Sequence, residues 1–328
     1  MVEQSFLNPE NKDIQRSVLL QADRLRSEIV ELSSSGDFCE RKQSEIMRQV
    51  ILTLGDTPHG LDLVWFPAGP LSDRGELIPE AAKLLDKQIT NLILINGGTA
   101  GQGVLWDEKV HGYNPLKIKD PSERDKIFVW AGTTRWAKLL DDYPGVDLSK
   151  NVAWTDLPGT NNPEEHRALL DWLDKYKSYT GVSGSEPVKM GVLCWPHQMP
   201  RQMLEFLHRL KSNGLEEKIQ FWPILGPVPD WDKLVQANQA NTETRRENIW
   251  KELQRLINYR YRPGCNVAST AEYEEYLRQR DNDPTAPVRI SREFWNRYSQ
   301  DSKLRETADL MISAAKTLDL SNLPQDWV

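Results

Sequence analysis

The chain has 328 residues, 39% of them hydrophobic and 27% charged, and a formal net charge of −7. That length exceeds one small domain. The acidic balance makes nucleic acid and anionic membranes poor default partners. Twelve Trp, nine Tyr and seven Phe argue against wholesale disorder despite a mean hydropathy of −0.60. Cys39, Cys194 and Cys265 are odd in number and far apart. They suggest neither a disulfide framework nor a CxxC metal site, and they fit a reducing compartment. The opening MVEQSFLNPENKD has no apolar core, and no stretch approaches the roughly 18–20 apolar residues of a membrane span. A soluble cytoplasmic protein is expected.

In chain order, residues 1–60 carry two helical patterns. One runs through Leu19, Ala22, Leu25 and Ile29, and the other through Ile46, Val50, Ile51 and Leu54, with SSSGD between them. From residue 61 the texture changes. The apolar runs LDLVWFP (61–67), NLILIN (91–96), NVAWTDL (151–157), VKMGVLCW (188–195) and IQFWPIL (219–225) alternate with helical patterns at 76–88, 163–176 and 198–212. Continuous apolar strands separated by helices predict strands buried on both faces of a parallel sheet. The expected fold is therefore a doubly wound, mainly parallel, three-layer αβα domain of Rossmann-like type, with N-terminal and C-terminal helical extensions. Residues 99–120 read as a polar insertion, and KIFVWAG (126–132) as a helix or an extra strand, with helix the preferred reading. After 228, the stretch from Trp231 to Arg260 reads as one long helix, followed by three more. The expected division is a helical segment at 1–60, the α/β domain at 61–227, and a C-terminal helical region at 228–328 packed on that domain.

Ligands of doubly wound sheets bind at the carboxyl ends of the strands, so the strand-to-helix turns hold the candidate residues. The first turn, PAGPLSDR, offers Gly69 for close backbone approach, Ser72, and Arg74 for an anion. The second offers Gly97, Gly98 and Thr99 after Asn96, with backbone N–H groups for an anion. It is neither a GxGxxG fingerprint nor a Walker A motif, and a plain flexible loop explains it as well. The third, GTNNPEEHR, has a helix-capping pattern at Asn162-Pro163-Glu164-Glu165 and adds Thr160 and Asn161, with Glu164 as a candidate base. The fourth, CWPHQMPR, places His197 and Arg201 one helical turn apart, with Glu205 continuing that face. His197 suits acid–base work and Arg201 suits an anion. The alternative is a buried His and a capping Arg.

Taken as an ordered set, WFPAGPLSDR, NLILINGG, GTNNPEEHR and VLCWPHQMPR resemble the turns of the YdcF-like (YdcF/SanA/ElyC) family of Rossmann-like proteins, over roughly residues 61–225. That family has a Gly-rich turn with an Arg-bearing helix start, a strand into Ser-Gly-Gly, an S-x-N-T-x-E-N helix start, and a strand into T-S-x-Y-H-x-x-R. Aligned without a gap, Gln198 stands at the family's His; with one inserted residue, His197 does. Arg201 matches either way.

The resemblance implies a cleft for a nucleotide-like or phosphorylated small molecule, with S-adenosylmethionine as a candidate cofactor. It leaves open a transferase, a hydrolase, or a non-catalytic sensor. No metal is expected, since no His and carboxylate set at ligand spacing is evident. Residues 245–262 interleave Arg245, Arg246, Lys251, Arg255, Arg260 and Arg262 with Trp250, Tyr259 and Tyr261, a pattern suited to nucleic acid. The Glu residues among them favour an ordinary salt-bridged helix, so nucleic acid is not expected as a partner. Oligomeric state is left open.

Overall fold

The computed structural model describes residues 9–67, 71–96, 143, 146–155, 162–180, 186–236, 242–261 and 266–321. The expected insertion at 99–120 and the expected helix at 126–132 lie outside these residues.

The chain divides into two compact units, Thr57–Ala268 and a second made of Met1–Asp56 with Ser269–Val328. This replaces the expected division at 60 and 227. The stretch 228–268 belongs with the sheet, and the two ends of the chain belong with each other. Local bonds explain the boundary. The Ala268 amide donates to the Leu204 carbonyl (3.0 Å), holding 268 to the α/β unit. One residue later, Ser269 opens a capping box with Glu272. Thr270 then accepts from Gln49 Nε2 (2.8 Å) and donates to Glu45 (3.0 Å), which ties it to the N-terminal helices.

Among the described residues, the helical unit comprises α1 (Pro9–Ser33), α2 (Phe38–Gly55) and three C-terminal helices. Asp37 caps α2 by accepting the Glu40 amide (3.1 Å). Ile46, Met47, Val50 and Leu54 form its fully buried stripe.

The end of α2 packs against a C-terminal helix, Ala286–Gln300. A Cβ at Gly55 would lie 2.7 Å from Phe294 Cβ and 2.8 Å from the Ile290 carbonyl oxygen of that helix. Backbone atoms cannot step aside as a side-chain tip can. Gly55→Ala is therefore expected to destabilise this unit by about 1–3 kcal/mol, the usual range for overpacking. Chemical denaturation checks this, and an unchanged midpoint would mean that the helices separate freely. Beneath the same junction, Arg280 is buried against Asp56 with two hydrogen bonds of 2.6 and 3.1 Å.

In the α/β unit the order is β1 (Leu63–Phe66), α3 (Leu71–Asp86), β2 (Ile93–Ile95), α4 (Leu148–Asn151), β3 (Val152–Trp154), α5 (Asn162–Thr180) and β4 (Val188–Cys194). A single 3₁₀ turn (Pro196–Gln198), α6 (Met199–Ser212) and β5 (Ile219–Leu225) follow. The five strands are parallel and lie in the order β3-β2-β1-β4-β5. All four residues of β1 are buried, as expected of a strand covered on both faces. The doubly wound α/β fold with helical extensions is thus the observed one.

The expected long helix from Trp231 is not observed. The chain makes a turn, then an antiparallel pair, β6 (Leu234–Gln236) and β7 (Thr242–Thr244), and only then α7 (Arg245–Tyr261). Its start is set by a capping box. The Thr244 amide donates to Glu247 Oε2 (2.7 Å), and the Glu247 amide donates to Thr244 Oγ1 (3.2 Å). Among the described residues, the helices that follow are α8 (Thr270–Arg280), α9 (Ala286–Gln300) and α10 (Ser302–Lys316).

Candidate functional site

The strand order reverses direction between β1 and β4. At such a switch point the connections leave the carboxyl ends in opposite directions and open a crevice. The first and fourth turns of the sequence therefore flank this point. Of their candidate residues, Ser72 and Arg74 fall at the start of α3. His197 and Gln198 form the 3₁₀ turn after β4, and Arg201 sits in the first turn of α6. Glu164 lies half-buried in the first turn of α5. Gly69, Gly97, Gly98, Thr99, Thr160 and Asn161 lie outside the described residues.

The turn after β4 is held by backbone bonds. The Gly226 amide donates to the Cys194 carbonyl (2.9 Å), and the Gln198 amide donates to the Trp195 carbonyl (3.0 Å). This turn puts His197 inside the protein, 4% exposed, with its ring edge-on to Trp231 at 5.8 Å. Its Nδ1 has no hydrogen-bond partner among the described residues. Burial pushes its pKa down to about 4; Glu252 opposes the shift, while Arg245, Arg201 and Arg255 reinforce it. His197 is consequently a neutral imidazole at pH 7. In that form it can accept a proton but carries no positive charge for an anion.

Arg201 does not present its guanidinium as expected. It is buried, with Nε donating to Glu252 Oε2 (2.5 Å), Nη1 reaching Glu205 Oε2 (3.4 Å), and the ring of Tyr259 5.6 Å away. Burial alone would lower its pKa, but Glu252 and Glu205 outweigh burial and raise it. Glu252 is likewise opposed by its burial, yet Arg201 and Arg255 keep it ionised. The i, i+4 spacing of Arg201 and Glu205 was visible in the sequence. The partner that matters most, Glu252, comes from α7, fifty-one residues away. The expected anion clamp is thus a buried ion-pair network joining α6 to α7.

A second ionic cluster adjoins the switch point. Glu76 of α3 accepts two hydrogen bonds from Arg245 (3.0 and 2.7 Å) and a third from Lys233. Arg245 is itself buried, 4.6 Å from the Trp195 ring. Burial raises the Glu76 pKa, and the two cations more than reverse that. Nothing local in the sequence flags Glu76, because its partners are set by the β6–β7 ribbon and the start of α7.

The other basic residues of α7 are also committed. Arg246 pairs with Asp232 (3.2 Å), Lys251 with Glu243, and Arg255 with Glu252 (2.5 Å). The side chains of Arg260 and Arg262 lie outside the description.

Two further buried polar residues were not singled out as site residues. Asn96, at the end of β2, donates to the Glu165 carbonyl (3.3 Å), and its Oδ1 has no partner among the described residues. His166 is fully buried, with ring centroids of Trp65 and Phe206 at 5.4 and 5.3 Å. Burial, then Arg209 and Arg201, push its pKa down to about 3.

At the opposite, amino end of the sheet, a cavity of about 530 Å³ lies between Asp62, Asn91, Lys150, Trp172 and Tyr176. Its polar groups anchor strand starts: Asp62 Oδ2 accepts the Lys189 amide (2.8 Å), and the Asn91 carbonyl accepts from Asn151 (2.9 Å). The candidate site accordingly stays with the carboxyl ends. Among the described residues, no three His, Cys, Asp or Glu side chains are grouped to hold a metal.

The described residues show a doubly wound α/β unit in which a buried histidine and two ionic clusters adjoin the switch point of the sheet. No family model, curated protein or solved structure matches the chain. Among the described residues, no helix is long and apolar enough to cross a membrane.

Proposed function

We propose that the crevice between β1 and β4 binds a nucleotide-like or phosphorylated small molecule, and that the protein is an enzyme of group transfer or hydrolysis. The observation that carries this reading is the strand order β3-β2-β1-β4-β5, because it puts the carboxyl ends of β1 and β4 side by side at the switch point. With Arg201 committed to Glu252, the role of anion clamp passes to Arg74, supported by the backbone N–H groups from Gly97 onward. His197 is the candidate proton acceptor, since its ring is neutral and its Nδ1 has no hydrogen-bond partner among the described residues. Glu164 is the second candidate base. The ordered resemblance of the four turns to the YdcF-like family supports this ligand class, with S-adenosylmethionine as a candidate cofactor. A soluble, cytoplasmic setting accords with the acidic chain and its scattered cysteines.

A second reading, a non-catalytic sensor of the same ligand, is favoured by one observation: His197 lies sealed beneath Trp231.

Mass spectrometry of small molecules retained by the natively purified chain tests the ligand class. Titrations with ADP and S-adenosylmethionine follow. His197→Gln is expected to keep binding within about threefold while lowering turnover at least about a hundredfold, the lower range for loss of a general base. Full turnover in that variant rules out the histidine mechanism. Binding with no turnover in either protein selects the sensor. No retained molecule and no binding of either probe at millimolar concentration defeats both readings.

A further inference from the structure

A groove of about 740 Å³ lies wholly within the helical unit, lined by α1, α2, α8 and α9. Ile51, Leu52 and Trp295 supply its buried apolar lining. Val30 of α1 and Val288 of α9 also line it, yet they are 65% and 64% exposed. One exposed valine is ordinary. Two on the groove that Trp295 also lines make an apolar patch of the kind that marks a binding site.

Its charge is lopsided in a protein of net charge −7. Arg26, Arg48, Arg278 and Arg292 line it against a single carboxylate, Glu274. Glu274 pairs with Arg48 and reaches Arg278 at 3.9 Å. Arg278 also pairs with Glu275 (3.0 Å), and Arg26 pairs with Asp23 (3.4 Å) while lying 5.0 Å from the Trp295 ring. Arg292 is exposed and forms no ion pair with any described residue. The groove thus combines an apolar lining with one uncommitted guanidinium and a second stacked on the tryptophan.

We propose that this groove binds a small, freely dissolved anionic amphiphile: an acyl chain or aromatic ring system carrying one carboxylate, sulfate or phosphate. The apolar part lies on Trp295, Leu52 and Val288, and the anionic head is held by Arg292. The volume falls within the roughly 300–1,000 Å³ of small-molecule sites, which likewise are mostly apolar with a few polar groups fixing orientation. The lining covers residues 26–33 of α1 and 287–295 of α9, about 10–12 Å of each helix. That length suits a small molecule better than a docked helix with anchors at i, i+4, i+7 and beyond. The groove belongs to a different unit from the switch-point crevice, so this proposal does not rest on the function proposed there.

The test is isothermal titration of the full chain with decanoate below its micellar concentration, and with 1-decanol as the neutral control. Decanoate is expected to bind one-to-one. Arg292→Gln and the loss of charge in decanol should each weaken binding by about tenfold or more, the loss of one charge-assisted hydrogen bond. Val288→Asp should remove binding by setting a carboxylate in the apolar wall. Both substitutions are at exposed positions, so melting temperatures should match the parent, and circular dichroism confirms the fold. Absence of decanoate binding at millimolar concentration overturns the proposal, as does equal affinity for decanol or equal affinity in both variants. Binding to phosphatidylglycerol vesicles without binding to free decanoate reassigns the patch to a membrane surface and likewise overturns it.

Discussion

Arg201→Ala is expected to destabilise the α/β unit by about 3–5 kcal/mol, the cost of breaking a buried ion pair from one side. The loss comes less from the vanished attraction than from what remains. Glu252 is buried, and without Arg201 its Oε2 loses a hydrogen bond of 2.5 Å, leaving Arg255 on Oε1. Glu205 loses the same partner.

For a unit of this size each kcal/mol shifts the melting temperature by about 2–4 °C, so a fall on the order of 10 °C should appear by calorimetry. Adding Glu252→Gln to the Arg201→Ala chain should recover part of the loss, because it removes the stranded charge. An anion-binding Arg201 would behave differently. The ligand-free melting temperature would hold, and only the ligand-induced shift would disappear. An unchanged melting temperature in Arg201→Ala would therefore sink the network described above and restore the clamp.

Lowering the pH is expected to destabilise the protein well before its carboxylates are protonated. His166 and His197 have folded pKa values of about 3 and about 4, against an ordinary value of 6.5, burial being the main cause in both. Between those limits the unfolded chain binds two protons that the folded chain refuses, so stability falls as pH falls. The contribution is fully present above about pH 6.5 and is lost as the pH drops toward the folded values.

Near pH 5 two protons correspond to a slope of about 2.7 kcal/mol per pH unit. Urea unfolding at a series of pH values measures it. His166→Gln should reduce the slope to about half, and the His166 and His197 ring proton resonances should not titrate near 6.5. Ordinary titration of both rings, or a flat stability profile from pH 6.5 to 4.5, would show that water reaches them.

The sequence by itself determined the sheet. Runs such as LVWF, and VKMGVLC apart from its exposed Lys189, are apolar without alternation, as expected of strands covered on both faces, and the intervening helical patterns favour parallel connections. It also located His197 and Arg201 at the end of β4, because a strand-to-helix junction is a local feature. Thr244-x-x-Glu247 was an equally local signal for the start of α7. It was hidden inside a longer helical periodicity that the β6–β7 ribbon interrupts.

Only the tertiary structure decided what those residues do. Whether an arginine at a helix start faces a ligand or a carboxylate depends on which distant element packs over it, and α7 brings Glu252 to Arg201. Whether a histidine is charged depends on the burial that Trp231 and its neighbours impose. The joining of residues 1–56 with 269–328 rests on bonds such as Gln49 to Thr270, spanning 221 positions. Spacing along the chain reports the face of one element. It carries no information about which element, far away in sequence, will cover that face.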